Sequence, residues 1–216
     1  MRLKGFTLAE VLITVTILGV IAILAAPALI SNIQKQQAGP AVLRAISTLD
    51  TANSLVFNEQ EMFNFSEFCY SEGDGGYVDK CFAPFVAGKM NAALDDQTTI
   101  DYRPIDGDES RNITLTNGYV TQNGFVYYFI TDDETENGID VAIDINGSKA
   151  PNIIGKDLFY AYINYDQDGK VLARGSRVDT QHPGEWVDNC NQDTAGDGSM
   201  CAGSIIDNGG KVIYPW

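Results

Sequence analysis

From Phe6 to Ala26 the chain reads FTLAEVLITVTILGVIAILAA, an apolar run in which Glu10 is the sole charge. About 20 such residues span the hydrocarbon of a bilayer. An ionisable group placed there costs roughly 2.5–3.5 kcal/mol on insertion scales, so a lone carboxylate needs a partner and a purpose. Beyond the run, Ile30, Ile33, Val42, Ala45, Ile46, Leu49 and Leu55 recur at three- and four-residue steps. Polar residues such as Gln34, Lys35, Gln36 and Gln37 stand between them. That spacing marks one apolar face of a helix. The pattern predicts a single helix from Phe6 to about Asn53, roughly 70 Å long at 1.5 Å per residue. Kinks are expected near Pro27 and at Pro40, because proline removes a backbone donor. The first half would project and the second half would pack on a sheet.

The pattern changes at Phe57. Residues 57 to 101 are aromatic, glycine-bearing and mixed, with a short helix expected around Phe85 to Leu94. From Asn112 onward, strand-like segments alternate with turn residues. Ile113 to Thr116 faces Tyr119 to Thr121 across Asn117-Gly118, a strong hairpin signal. Gly124 to Ile130, Ile139 to Ile143, Asp157 to Ile163 and Lys170 to Ala173 complete an antiparallel meander of four to six strands. Such a sheet offers one apolar face to a helix. The stretch from Val187 to Trp216 reads as loop. The fold class expected is α+β: a long, kinked N-terminal helix, its first half transmembrane, packed on an antiparallel sheet.

Charge narrows the function classes. The net charge is −15, and without Arg2 and Lys4 it is −17. Nucleic-acid binding needs a basic footprint, so it is not expected. Docking of so acidic a chain on anionic headgroups is not expected either. The four cysteines, Cys69, Cys81, Cys190 and Cys201, match no zinc spacing. Behind an export segment they are read as disulfides formed in an oxidising space. Three connectivities are possible. The local one, Cys69–Cys81 with Cys190–Cys201, closes two short turn-rich loops and is the pairing expected.

The N-terminus admits three readings: a secretory signal cut near Ala26-Pro27-Ala28, a permanent anchor, or an anchor whose leader is cut on the cytoplasmic side. The residues Gly5-Phe6-Thr7-Leu8-Ala9-Glu10, followed by Val11-Leu12-Ile13-Thr14-Val15, favour the last. They resemble the class III signal of type IV pilins and type II secretion pseudopilins. The resemblance covers about the first thirty residues. It implies a leader of residues 1–5, cleavage between Gly5 and Phe6 by a prepilin peptidase, and methylation of the new Phe6 amine. It also implies a helix at 6–53 with its membrane and assembly half at 6–26, and a pilin-like globular domain at 54–216. Pro27 lies where that family has a helix-kinking proline, and a disulfide-closed C-terminal segment there supports Cys190–Cys201. Glu10 would pair with the Phe6 ammonium of a neighbouring subunit, because an unpaired charge in a dry helix bundle is costly.

The function expected from this resemblance is a structural subunit of a type IV pilus-like filament. The alternatives are a pseudopilin of a type II secretion system and a membrane-anchored calcium- or ligand-binding module that does not polymerise. Expected partners are other pilins in a homo- or hetero-oligomeric filament, the prepilin peptidase, an inner-membrane assembly platform with its ATPase, and membrane lipid before assembly. The precursor would cross the inner membrane once with its C-terminal domain outside the cytoplasm, then join a surface pilus or periplasmic pseudopilus. The positive leader stays inside by the positive-inside rule.

Other chemistry is sparse. Asp144, Asn146 and Asp157 place oxygens around the Gly147 turn and resemble part of a calcium loop, although Asx-turn chemistry also places Asp and Asn there. Asp166-Gln167-Asp168-Gly169 is a weaker candidate. Three glycosylation-type triplets, at Asn64, Asn112 and Asn146, carry no weight. The one histidine, His182, precedes Pro183 and reads as a turn residue. With the cysteines paired, no Ser–His–Asp or Cys–His catalysis is expected, and the protein is read as a non-enzyme.

Overall fold

The computed structural model describes residues 7–59, 78–130, 138–164, 169–190 and 196–216. Helix α1 runs unbroken from Leu8 to Glu59, 52 residues, or about 78 Å at 1.5 Å per residue. It continues through Pro27 and Pro40 and ends six residues later than expected. The cause is its stripe: Ala38, Val42, Ala45, Leu49, Ala52 and Val56 are each at most 2% exposed. Val56 extends the three–four spacing past Asn53, itself fully buried with its amide donating to the Gly169 carbonyl.

A π-helical turn, Val78–Phe82, leads into α2, Ala83–Lys89, which carries Pro84 in its first turn and packs against α1. Proline is suited to a first helical turn because its missing N–H is not needed there. The helix expected at 85–94 is therefore shifted. Its last residues belong to strand β1, Ala93–Asp95. Then follow β2 (Ile100–Tyr102), β3 (Ile113–Leu115), β4 (Gly118–Val120), β5 (Val126–Ile130), β6 (Gly138–Asp144), β7 (Leu158–Asn164) and β8 (Lys170–Ala173). Six strands form one antiparallel sheet in the order β1-β4-β5-β6-β7-β8, and β2 pairs with β3 in a second, small sheet. The chain is thus α+β and pilin-like in architecture.

The Asn117-Gly118 hairpin does not form. A two-residue type I′ turn needs positive φ at both central residues. Asn117 has φ +58°, but Gly118 is not among the positive-φ glycines. It lies in β4 instead, where a Cβ would stand 2.4 Å from Val126 Cγ1. Asn117 turns the chain from the small sheet into the large one, so β3 pairs with β2 while β4 pairs with β1 and β5.

Alternation divides the large sheet into two buried faces. Tyr127, Phe129, Val141, Ile143, Phe159, Ala161 and Ile163 join the core under α1, and the Tyr127 hydroxyl donates to the Ala45 carbonyl at 3.1 Å. The opposite face is also covered, which the sequence reading did not foresee. Val126, Tyr128, Ala142 and Leu158 pack with Ile100 and Tyr102 of the small sheet. Further along this face, Arg174 holds Asp140 through two bonds at 2.8 and 2.7 Å. It also donates to Gln181 at 2.6 Å and lies 4.7 Å from the Tyr162 ring centroid.

The C-terminal stretch is not all loop. It forms two short helices, α3 (Trp186–Asn189) and α4 (Cys201–Asp207), joined by the Cys190–Cys201 disulfide. Ala202 and Ile205 are fully buried, and Gly203 lets α4 approach the Gly175 backbone. Cys81 is disulfide-bonded. Cys69, Asp166, Gln167, Asp168 and the Asn64 triplet lie outside the described residues.

Candidate functional site

Among the described residues, the N-terminal half of α1 packs on nothing outside itself. Every described residue from Thr7 to Ile30 is exposed, apart from Pro27 and Ala28, whose side chains are not described. Exposed Leu, Ile and Val side chains recur from Leu8 to Leu24 and again at Leu29, Ile30 and Ile33. This is the one helix, among the described residues, long and apolar enough to cross a membrane. The hydroxyls of Thr14 and Thr16 donate back to the Val11 and Leu12 carbonyls at 2.9 and 2.8 Å. They therefore carry no unmet donor into lipid.

Glu10 sits at the head of this half. The Thr7 N–H and hydroxyl both donate to Glu10 Oε2, at 2.8 and 2.9 Å, and the Glu10 N–H donates to Thr7 Oγ1 at 3.3 Å. This reciprocal pair is a capping box, which satisfies donors that a helix start otherwise leaves bare. Its signature, Thr7-x-x-Glu10, is legible in the sequence, and the sequence reading missed it. Both Thr7 contacts use Oε2, and among the described residues no bond to Oε1 is seen. Gly5 and Phe6 lie outside the described residues.

Where α1 meets the domain, the C-terminal tail crosses it. Gly39 makes the crossing possible, since a Cβ there would stand 1.9 Å from the Gly210 carbonyl oxygen. Lys35 Nζ then donates to the Tyr214 carbonyl at 3.0 Å.

Asp144 is fully buried at the end of β6. Its Oδ1 accepts the N–H groups of Asn146 and Gly147 at 2.8 and 2.7 Å, and its Oδ2 accepts the Tyr102 hydroxyl. Asp157, 5% exposed, accepts the Ile153 N–H on Oδ2 at 3.3 Å. Asn146 has a buried Oδ1 without a partner among the described residues. Calcium wants six to eight oxygens. No group of three or more His, Cys, Asp or Glu side chains converges among the described residues, and three donors already point at Asp144. This geometry lends the calcium expectation no support. Burial pushes the Asp144 carboxyl up to about 6, against the pull of Tyr102 and the two N–H groups. Burial likewise pushes Asp157 up to about 6, and the charge of Asp144 adds to it. Burial and Asp144 together raise the Tyr102 hydroxyl.

Comparison with known families finds the prokaryotic N-terminal methylation motif at residues 1–26. The N-terminus thus carries the class III prepilin signal of type IV pilins and pseudopilins, which makes the chain a prepilin-peptidase type of substrate. That signal implies assembly with other pilins, and with the apolar helix it indicates membrane insertion. No curated protein and no solved structure matches the chain.

Proposed function

We propose that the protein is a structural subunit of a type IV pilus-like filament. Its precursor sits in the inner membrane, is cut after Gly5, is methylated on Phe6, and is added to the fibre by a platform and its ATPase. The observation that carries this reading is the bare half of α1: an apolar surface with one carboxylate at its head and no partner elsewhere among the described residues. A surface of that size needs lipid or copies of itself. The methylation motif supplies the route from one to the other.

Glu10 Oε1 receives the ammonium of a neighbour's Phe6 while Oε2 stays on Thr7. The pair sets axial register, because a one-step slip strands both charges in a dry bundle. The role is structural rather than enzymatic. His182, the sole histidine, lies in a turn with its Nδ1 3.1 Å from Glu185.

Mass spectrometry of the mature protein should give an N-methylated Phe6 at its start. Glu10→Leu should abolish fibres while leaving the melting of the globular domain unchanged; fibres at the parental level would remove the charge pair from the account. Deletion of the chain should strip fibres from the cell surface. Retention of secreted enzymes inside the cell, with surface fibres intact, would instead assign it to a type II secretion pseudopilus.

A further inference from the structure

We propose that the underside of the globular domain docks on anionic phospholipid headgroups before assembly, through a collar of Lys35, Lys156, Lys211 and Trp216 around the exit of α1. This rests on the reading that the first half of α1 spans the bilayer.

The position of the collar follows from the helix. After Glu10 the next charged residue along α1 is Lys35, so Val11 to Gln34 is uncharged. Those residues rise about 36 Å, enough to cross a hydrocarbon core of about 30 Å. Lys35 therefore emerges at the level of the headgroups, and whatever the domain packs beside it emerges there too.

Two grooves flank the helix at this level. One is lined by Asn32, Lys35, Lys211 and Ile213, the other by Gln34, Gln37, Lys156 and Trp216. Ile213 is 54% exposed and Lys211 is exposed. Asp157 borders the second groove but is buried beneath its surface. Tryptophan belongs to the aromatic belt found at membrane interfaces, and lysines near the surface are drawn to anionic headgroups. Lys35 spends one of its donors on the Tyr214 carbonyl and keeps two for phosphate oxygens.

Charge makes the choice of surface specific. A chain of net charge −15 is repelled by an anionic membrane over most of its area. At the collar Lys35, Lys156 and Lys211 line the two grooves, whose one acidic residue, Asp157, is buried. Docking there fixes the tilt of the domain on its helix, and the contact must be released when a subunit leaves the membrane.

The test uses the mature full-length chain, one copy per nanodisc, in phosphatidylcholine alone and in its mixture with phosphatidylglycerol. Recovery in discs reports whether α1 spans, whatever the lipid charge, so failure of that premise is seen separately. Hydrogen exchange of the amides from Gly209 to Trp216 reports docking. Exchange should be slower in the anionic discs by about fivefold per engaged lysine. The effect should vanish in Lys35→Gln/Lys211→Gln, and in high salt for the unmodified chain. Equal exchange in the two lipids would overturn the proposal. So would protection that appears only when discs hold two copies, which would assign the collar to contact between subunits.

Discussion

The two halves of α1 share one backbone and differ in almost everything else. The half before Pro27 is apolar on every side and exposed on every side. The half after Gln37 mixes polar and apolar residues and buries only one stripe of them, from Ala38 to Val56. The more hydrophobic half is thus the one that the domain leaves alone. Hydrophobicity sets how much surface seeks cover, whereas periodicity sets whether a single sheet can provide it. A stripe at three–four spacing fits against one face. A cylinder of Leu, Ile and Val needs cover all round, which only lipid or several copies of itself supply.

This contrast can be broken most sharply with a matched pair of substitutions. Leu49→Ala removes a fully buried side chain and should cost the domain about 2–5 kcal/mol. Leu18→Ala, the same change in the bare half, should leave chemical denaturation of the domain unchanged. It should show instead as weaker filament cohesion. Equal effects of the two on domain stability would mean that the halves are not separate in function.

A second measurement sharpens the contrast through pH. Asp157 lines the groove beside Gln37 and Ala38, Asp144 is buried at the end of β6, and burial pushes both carboxyls up to about 6. An ordinary carboxyl titrates near 4, so the folded state binds more protons between those values. The stabilisation is complete below about pH 4 and is lost as the pH rises through about 6, by up to about 2–3 kcal/mol per carboxyl. Denaturation midpoints of the parent and Asp144→Asn across this window should differ in slope, the variant being flatter. Parallel curves would refute the assignment. Membrane insertion should not follow this titration.

The smallest effect is expected at the joint itself. Gly39→Ala forces the tail away from α1 at Gly210. It should lower domain stability by about 1–3 kcal/mol, as overpacking does. Exchange at Lys211 to Trp216 should rise with it.

The helix was legible because its evidence is local. The membrane-length run and the 42, 45, 49 spacing are visible in one window, and so is the N-terminal methylation motif within residues 1–26. What escaped the sequence was set by distant partners. The Asn117-Gly118 pair looks like a hairpin turn, but the backbone at Gly118 is fixed by Val126 and Tyr128 on the next strand. Arg174 and Asp140 are 34 residues apart, and nothing near either one announces the other. The tail was read as loop because its glycines are frequent. Yet Gly203 serves a helix that must lie close to Gly175. Thr7 was different, since its capping pattern stood in plain view and was passed over for the charge pair.

The borders of the main sheet carry one more consequence. One border is β1, only three residues long and ending in Asp95. The other is β8, where the outward N–H of Val171 is already taken by the Asp50 carboxylate of α1 at 3.1 Å. A sheet with borders so short and so plugged gives a passing strand little to zip onto. Crowded copies of this molecule are therefore steered away from amyloid-like stacking, and greasy rods remain the route by which they can cohere.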